Sequence, residues 1–297
     1  MKFQWIQQHR QLAPIGAMCR LLDVSRSGYH AFVQRSSPAR PISDRQRRRQ
    51  AILDAIKAIH QDSRQTYGSP RMHAELIARG HQCCLNTVAR YMRELGLCAT
   101  PPRGFKPMTT DSNHTHPIAP NTLDRHFRRD EPNQGWVTDI TYVPTDEGWL
   151  FLAVVIDLHS RRVVGHATAD HLKASLVLDA MDMALHRRAP AAGSWRGQQL
   201  LVHSDRGVQY ACDACRTLLA AHGIDRSMSR VGNCYDNAVA ESFFATIKRE
   251  LIHRHRFATR GVAAGAIFEW IEVFYNRIRR HSTLGYLSPA DFEAAAA

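Results

Sequence analysis

The sequence predicts an α/β protein, a mixed sheet flanked by helices, preceded by an all-α helix-turn-helix-like region. Three observations carry this. From residue 135 onward, strand-like and helix-like segments follow in the order βββαβαβα, which implies a mixed sheet with helices packed on it. Residues 13–98 hold only segments of helical period, broken by Gly, Ser and Pro. The two parts also differ in charge: residues 1–110 carry 18 Lys and Arg against 6 Asp and Glu, and residues 111–297 carry 21 of each. A basic region beside a balanced one suggests a nucleic-acid-binding module attached to a second function. The competing reading is a basic surface kept for solubility.

The first helical pair spans residues 13–34. Ile15, Met18, Leu21 and Leu22 are spaced for one helical face, the run Asp23–Gly28 breaks it, and Ser25 or Ser27 is placed to cap a second helix carrying Tyr29, Phe32 and Val33. Arg45–His60 is helical by period, with Ile52, Leu53, Ile56 and Ile59 inward and Arg45, Arg47, Arg48 and Arg49 outward. In Tyr67–Arg71 a Ser cap precedes Pro70 at the first helical position, and that helix stops at Gly80. Asn86 is placed to cap a further helix through Val88, Tyr91, Met92 and Leu95, ended by Gly96. Two short helices after a longer one, the last of them basic, suit docking in a major groove. Six of the 13 prolines lie in 101–132, beside His114 and His116 and without periodicity, so 99–133 reads as an extended linker.

Trp136–Val143 reads as a strand. The unbroken apolarity of Trp149–Leu158 marks a buried one, and Arg161–Ala169 follows it across the short turn His159-Ser160, completing an antiparallel meander. Ala174–Arg188 is a helix with Leu176, Val177, Ala180, Met183 and Ala184 inward. Leu200–Asp205 is a strand, Ala211–His222 a helix stopped by Gly223, and Asp225–Arg230 a short strand. Asp236–Ile252 and Val262–His281 are helices. The expected domains are helix-turn-helix-like segments at 1–40 and 41–98, the linker at 99–133, a catalytic core at 134–281 and a tail at 282–297.

Several function classes are excluded or weakened. There is no apolar run of transmembrane length and no apolar signal core, which points to a cytoplasmic protein. The seven cysteines are odd in number and scattered, which fits a reducing compartment. Cys212 and Cys215 form a lone C-x-x-C within a helix and read as packing. No G-x-x-x-x-G-K loop is present for nucleotide hydrolysis. His203 and Ser204 are neighbours on a strand, point to opposite faces, and so make a poor nucleophile–base pair.

Three carboxylates stand out. Asp139 lies within a strand beside Thr138 and Thr141, where an unpartnered Asp is costly and a metal or hydrogen-bond partner is expected. Asp205 ends a strand, where ligands of open sheets usually sit. Glu241 lies on the shoulder of an apolar helix stripe formed by Ala240, Phe243, Phe244, Ile247 and Leu251. Lys248, seven residues on, nearly eclipses it, within ~20°. Two strand-borne aspartates and a helix-borne glutamate suit a pair of hard divalent cations, the arrangement that performs in-line displacement at phosphorus. From spacing alone Asp157, which also ends a strand, competes with Asp139. Asp236 competes with Glu241, although its position suits a helix N-cap.

The segments Trp136–Tyr142, Val155–Arg161, His203–Tyr210, Asp236–Phe244 and Tyr275–Tyr286 resemble the retroviral-integrase-like core of DDE transposases. With Val24–Tyr29 and Tyr67–Arg71, nearly the whole chain resembles the OrfB product of the insertion-sequence-three family of bacterial transposases. The resemblance implies a ribonuclease-H-like fold and a polynucleotidyl transferase that cleaves and transfers DNA strands with Mg²⁺. It implies that Asp139, Asp205 and Glu241 are catalytic and hold two Mg²⁺ ions, with Mn²⁺ able to substitute, and that Asp157 is not catalytic. Lys248 would contact DNA, and Arg26, Arg71, Arg90, Arg277, Arg280 and His281 are further expected contacts. The implied partners are the element's terminal repeats, target DNA and further copies of the chain on that DNA. An upstream OrfA segment, with its own helix-turn-helix and a zipper this chain lacks, is implied as a fused or associated partner. A nuclease of the same fold that only hydrolyses, or a non-catalytic DNA-binding regulator, are the alternatives. The basic N-terminal helices argue against the first and the intact carboxylates against the second.

Overall fold

The computed structural model describes residues 1–36, 43–99, 117–188, 199–230 and 234–296. The cluster Pro101, Pro102 and Pro107, with His114 and His116, lies outside these. The chain forms two compact units, Met1–Ala55 and Ile56–Ala297.

In the first unit, α1 (Lys2–Gln8), α2 (Ile15–Leu21) and α3 (Arg26–Ser36) close over Ile6, Met18, Cys19 and Tyr29. The Tyr29 hydroxyl reaches Gln7 Oε1 at 2.6 Å. Ser25 Oγ accepts the Gly28 N–H at 3.0 Å, capping α3 as one of the two expected serines. Leu21, expected inward with Ile15 and Met18, is 80% exposed; it is the last residue of α2, where the turn at Asp23 (φ 52°) leads the chain away.

Helix α4 (Asp44–Asp62) buries Ile52, Leu53, Ile56 and Ile59 and exposes Arg45, Arg47, Arg48 and Arg49, as its period requires. Helices α5 (Ser69–Ala78) and α6 (Leu85–Glu94) follow. Their N-caps are Gly68 and Cys84, in place of the expected Ser69 and Asn86. A cap needs extended backbone, and Gly68 (ψ 176°) and Cys84 (ψ 158°) supply it. Gly80 and Gly96 end the two helices with positive φ of 83° and 66°.

Strands β1 (Gly135–Thr145), β2 (Gly148–Asp157) and β3 (Val163–Ala169) form the expected antiparallel meander. The chain continues through α7 (Ala174–Arg187), β4 (Leu201–Ser204), α8 (Val208–Ala211), α9 (Asp213–Ala221) and β5 (Asp225–Met228). The sheet order is β3-β2-β1-β4-β5, with β1/β4 and β4/β5 parallel. Helices α10 (Ala238–Glu250) and α11 (Arg260–Glu269) follow, and α11 runs on through a π-helical turn at Trp270–Tyr275.

The apolar run of β2 is explained by burial on both faces. Leu152, Val154 and Ile156 join α10, α11 and the π turn in one core, while Ala153 and Val155 join α7, α8 and α9 in the other. Helix α7 presses closely on β3: a Cβ at Gly165 would lie 2.1 Å from the Ala180 carbonyl oxygen. Met181 is fully buried on α7 and the expected Met183 only half-buried, its sulfur accepting the His166 N–H at 3.4 Å.

Two stretches, the expected linker and the expected tail, carry fixed contacts. Along 117–133, the Thr122 and Leu123 N–H groups both donate to Ser227 Oγ at 3.0 Å, and Asn133 N–H donates to Asp157 Oδ2 at 2.7 Å. The C-terminal stretch forms α12 (Pro289–Ala296), whose Glu293 accepts from Ser160 Oγ at 2.6 Å and Arg162 Nη1 at 2.7 Å.

Candidate active site

Parallel pairing of β1 and β4 sets the site. The register runs Gly135↔Leu201, Trp136↔Val202, Val137↔His203; β4 ends at Ser204, and Asp205, the next residue, lies close enough to Asp139 for its charge to act on it. Asp139 falls on the same face as Val137, because side chains alternate along a strand. Val137 belongs to the core covered by α10, so the aspartate faces the helix that carries Glu241 in its first turn and Lys248 in its last.

The electrostatics agree with this arrangement. Burial, then the charge of Asp205, and further the charge of Glu241, push the Asp139 carboxyl well above its usual range; the Ile140 N–H and Lys248 work the other way. One Asp139 oxygen accepts that Ile140 N–H at 2.8 Å. Asp205 Oδ1 accepts the Gly207 N–H at 2.9 Å in the turn leaving β4. Burial lowers Lys248, and Asp139 raises it. Glu241 is exposed and Lys248 half-buried.

Behind the aspartates the site is braced. Thr138 Oγ1 and the Tyr210 hydroxyl lie 3.2 Å apart, and Asn237 Nδ2 reaches the Thr138 carbonyl at 3.5 Å, linking the start of α10 to β1. His203 sits between Ser227 Oγ (2.8 Å) and Ser229 Oγ (3.1 Å), and burial lowers its pKa to about 4. It is a buried support for β4, not a catalytic base partner of Ser204, whose hydroxyl turns to the Asp205 carbonyl at 2.9 Å.

The two competing carboxylates are occupied elsewhere. Asp157 is fully buried and paired across β1 with Trp136; it accepts N–H groups of Asn133, His159 and Ser160. Asp236 is not an N-cap: Asn237 is, without a side-chain bond. Asp236 is instead buried against Asn121, Arg125 and Arg230, and hydrogen bonds from Arg230 and then Arg125 hold its carboxyl far below the usual range. Sequence reading missed this anchor because its partners lie up to 115 residues away.

Of the expected DNA contacts, Arg26, Arg90 and Arg277 are exposed. Arg71, Arg280 and His281 turn into the protein. Arg280 pairs with Glu75 and donates to the Tyr286 carbonyl. His281 is lowered to about 2 by burial and the charges of Arg279 and Arg71, and the Arg71 Nε is buried without a hydrogen-bond partner. These three lie at the joint between α5 and the chain after α11, which no local pattern announces. Cys212 ends up as the N-cap of α9 and Cys215 is buried within it, as packing requires.

Carboxylate oxygens are hard donors suited to Mg²⁺ or Ca²⁺, and mutual repulsion at Asp139 is the kind of charge a cation relieves. As they stand, no three His, Cys, Asp or Glu among the described residues are gathered closely enough to hold a metal. Asp139 and Asp205 are the pair whose charges oppose each other, and Glu241, exposed on α10, adds to that repulsion. Among the described residues no helix is long and apolar enough to cross a membrane.

Comparison with known proteins bears on this site. Profiles described as Integrase core domain match residues 129–234 and 222–289, and one described as HTH-like domain matches 47–105. Transposase InsF for insertion sequence IS3A of Escherichia coli K12 is 43% identical over 293 residues, 99% of this chain and 98% of that one. A 31 kDa protein of insertion element IS600 from Shigella sonnei is 43% identical over 275 residues, 93% of this chain and 97% of that one. The HTLV-2 integrase catalytic core in complex with magnesium aligns with a TM-score of 0.40 at 14% identity, over 55% of this chain and 97% of that one. At 43% identity along essentially its full length, the chain belongs to the IS3 family of transposases, with an integrase catalytic core of the polynucleotidyl transferase kind.

Proposed function

We propose that Asp139, Asp205 and Glu241 are the catalytic carboxylates, that they hold two Mg²⁺ ions (replaceable by Mn²⁺), and that the site cleaves and joins the DNA ends of an insertion sequence. The observation that carries this reading is that Asp139 on β1 and Asp205, just past the end of the paired β4, lie close enough for their charges to interact, on the side of the sheet faced by the helix that bears Glu241 and Lys248. Metal bound there would supply the Lewis acidity that activates a water or 3′-hydroxyl and stabilises the leaving 3′-oxygen. The two aspartates, fixed by the sheet, set the position of the scissile phosphate. Glu241, in the first turn of α10, would complete the metal-holding set from the helix side. Lys248 offers an ammonium to a neighbouring phosphate.

Residues 1–40 and 41–98 act in this reading as DNA-binding segments joined by 99–133 to the core at 134–281 and its tail at 282–297. The exposed Arg26, Arg90 and Arg277 hold phosphates. Joining two ends in one event requires more than one copy on the DNA, and an upstream OrfA segment is the expected partner in reading the terminal repeats. The test separates transfer from hydrolysis. The chain, with Mg²⁺ and labelled DNA carrying the element's own ends, is supplied with a terminal 3′-hydroxyl or a dideoxy end. Joined product from the first and none from the second supports strand transfer. Equal release of free ends from both, without joining, leaves only a nuclease.

A further inference from the structure

Within the second unit, a cavity of about 590 Å³ opens between the end of α4, the chain leaving α6, and the short turn after α10. Its walls are Lys57, His60, Gln61, Gln65, Arg254 and the stretch Gly96–Ala99, and none of its lining residues is acidic. Lys57 is exposed on α4 and has no carboxylate partner among the described residues. Among the described residues Arg254 donates only to neutral oxygens, the Arg64 carbonyl at 2.7 Å and Gln65 Oε1 at 3.2 Å, and pairs with no carboxylate there. His60 is 9% exposed, and its Nδ1 has no hydrogen-bond partner. Two cations without a described carboxylate partner, two side-chain amides and a histidine in a concave wall suit an anion, because an uncompensated cation in a partly screened recess gains most from a counter-charge.

We propose that this cavity seats a phosphodiester group of the DNA backbone, held by Lys57 and Arg254 with Gln61 and Gln65 as further donors. The proposal rests on DNA being the substrate. The cavity joins the helical part of the unit to the core, so a strand lying in it is fixed to both at once. It carries no sequence information, since phosphate contacts position and do not specify.

The test uses the full chain and a duplex carrying the element's ends, titrated at several salt concentrations, with Lys57→Gln, Lys57→Arg and the double variant Lys57→Gln/Arg254→Gln. Lys57 makes no internal bond in the described residues, so Lys57→Gln leaves the fold intact even if loss of Arg254 loosens the Arg64 turn. The slope of log affinity against log salt is expected to shallow by about 1 for Lys57→Gln and about 2 for the double variant, with Lys57→Arg restoring it. Cys98, exposed on the cavity wall, is expected to react more slowly with iodoacetamide when DNA is present, and to lose that protection in the double variant. An unchanged slope, or Cys98 labelling indifferent to DNA, overturns the proposal while leaving the catalytic reading standing. A parent chain that binds and protects normally but neither cleaves nor joins overturns the catalytic reading instead.

Discussion

Arg279 donates two N–H groups from one edge of its guanidinium to Glu250, with Nε 2.8 Å from Oε2 and Nη2 2.7 Å from Oε1, and both side chains are only 2% exposed. Glu250 is the last residue of α10 and Arg279 follows α11, so the pair locks the ends of the two helices that roof the site. Tyr67, just before α5, joins the same knot: its hydroxyl accepts the Arg280 N–H at 2.8 Å. Removing one partner strands a buried charge, which costs far more than the intact pair contributes. Glu250→Ala is expected to destabilise the fold by about 3–5 kcal/mol, read as a fall in chemical-denaturation midpoint. Glu250→Ala together with Arg279→Met should recover part of that loss.

Asp139 stores unfavourable energy in the metal-free protein, because burial and the neighbouring Asp205 both oppose its charge. Asp139→Asn is therefore expected to abolish DNA cleavage yet raise the thermal midpoint in metal-free buffer, by roughly 2 °C or more. Added Mg²⁺ should raise the midpoint of the parent and leave the variant unmoved. A variant less stable than its parent without metal would remove the argument from charge.

A pH-dependent stability term sits at the outer edge of the sheet. Burial works to raise the Glu272 carboxyl, but hydrogen bonds from His166 (2.9 Å) and Arg187 (2.6 Å) outweigh it and hold the pKa down to about 2. A carboxyl lowered on folding stabilises the fold fully above its unfolded value near 4.5 and loses that contribution as pH falls toward 2. Comparing the parent with Glu272→Gln from pH 6 to pH 2.5 by denaturant titration should show the parent losing on the order of 2 kcal/mol more than the variant. Parallel curves would mean the triad contributes nothing.

The approach of α7 to β3 depends on a missing side chain. A Cβ at Gly165 would also meet the Ala184 backbone nitrogen at 2.9 Å. Gly165→Val is expected to cost about 1–3 kcal/mol through overpacking, and Gly165→Ala somewhat less, both measurable as lowered unfolding midpoints. Neither substitution touches the carboxylates, so activity per folded molecule should persist.

The parts legible in the sequence are those written in local periodicity. The strand β2 declared itself by an unbroken apolar run because both of its faces are covered, and α10 by a stripe that leaves Glu241 and Lys248 on its shoulder. Even the approach of Asp205 to Asp139 follows once β1 and β4 are paired. What escaped is non-local. Nothing near Arg280 or His281 foretells that they face α5, since Glu75 lies 205 residues away, and both looked like free cations. Asp236 likewise looked like a cap because two of its partners, Arg125 and Asn121, come from 111 and 115 residues away. The caps at Gly68 and Cys84 were missed because backbone angle, not side-chain chemistry, selected them.

The central claim is that Asp139, Asp205 and Glu241, and not the equally plausible-looking Asp157 and Asp236, perform the chemistry. Its most direct test is the rate of strand joining with Mg²⁺ for five single variants, Asp139→Asn, Asp205→Asn, Glu241→Gln, Asp157→Asn and Asp236→Asn, each assayed below its own unfolding midpoint. The first three should lose about 10³-fold or more each, with DNA binding intact, while the last two keep joining within about tenfold of the parent. Joining that survives in any of the first three, or disappears in Asp157→Asn while that protein remains folded, would contradict the assignment.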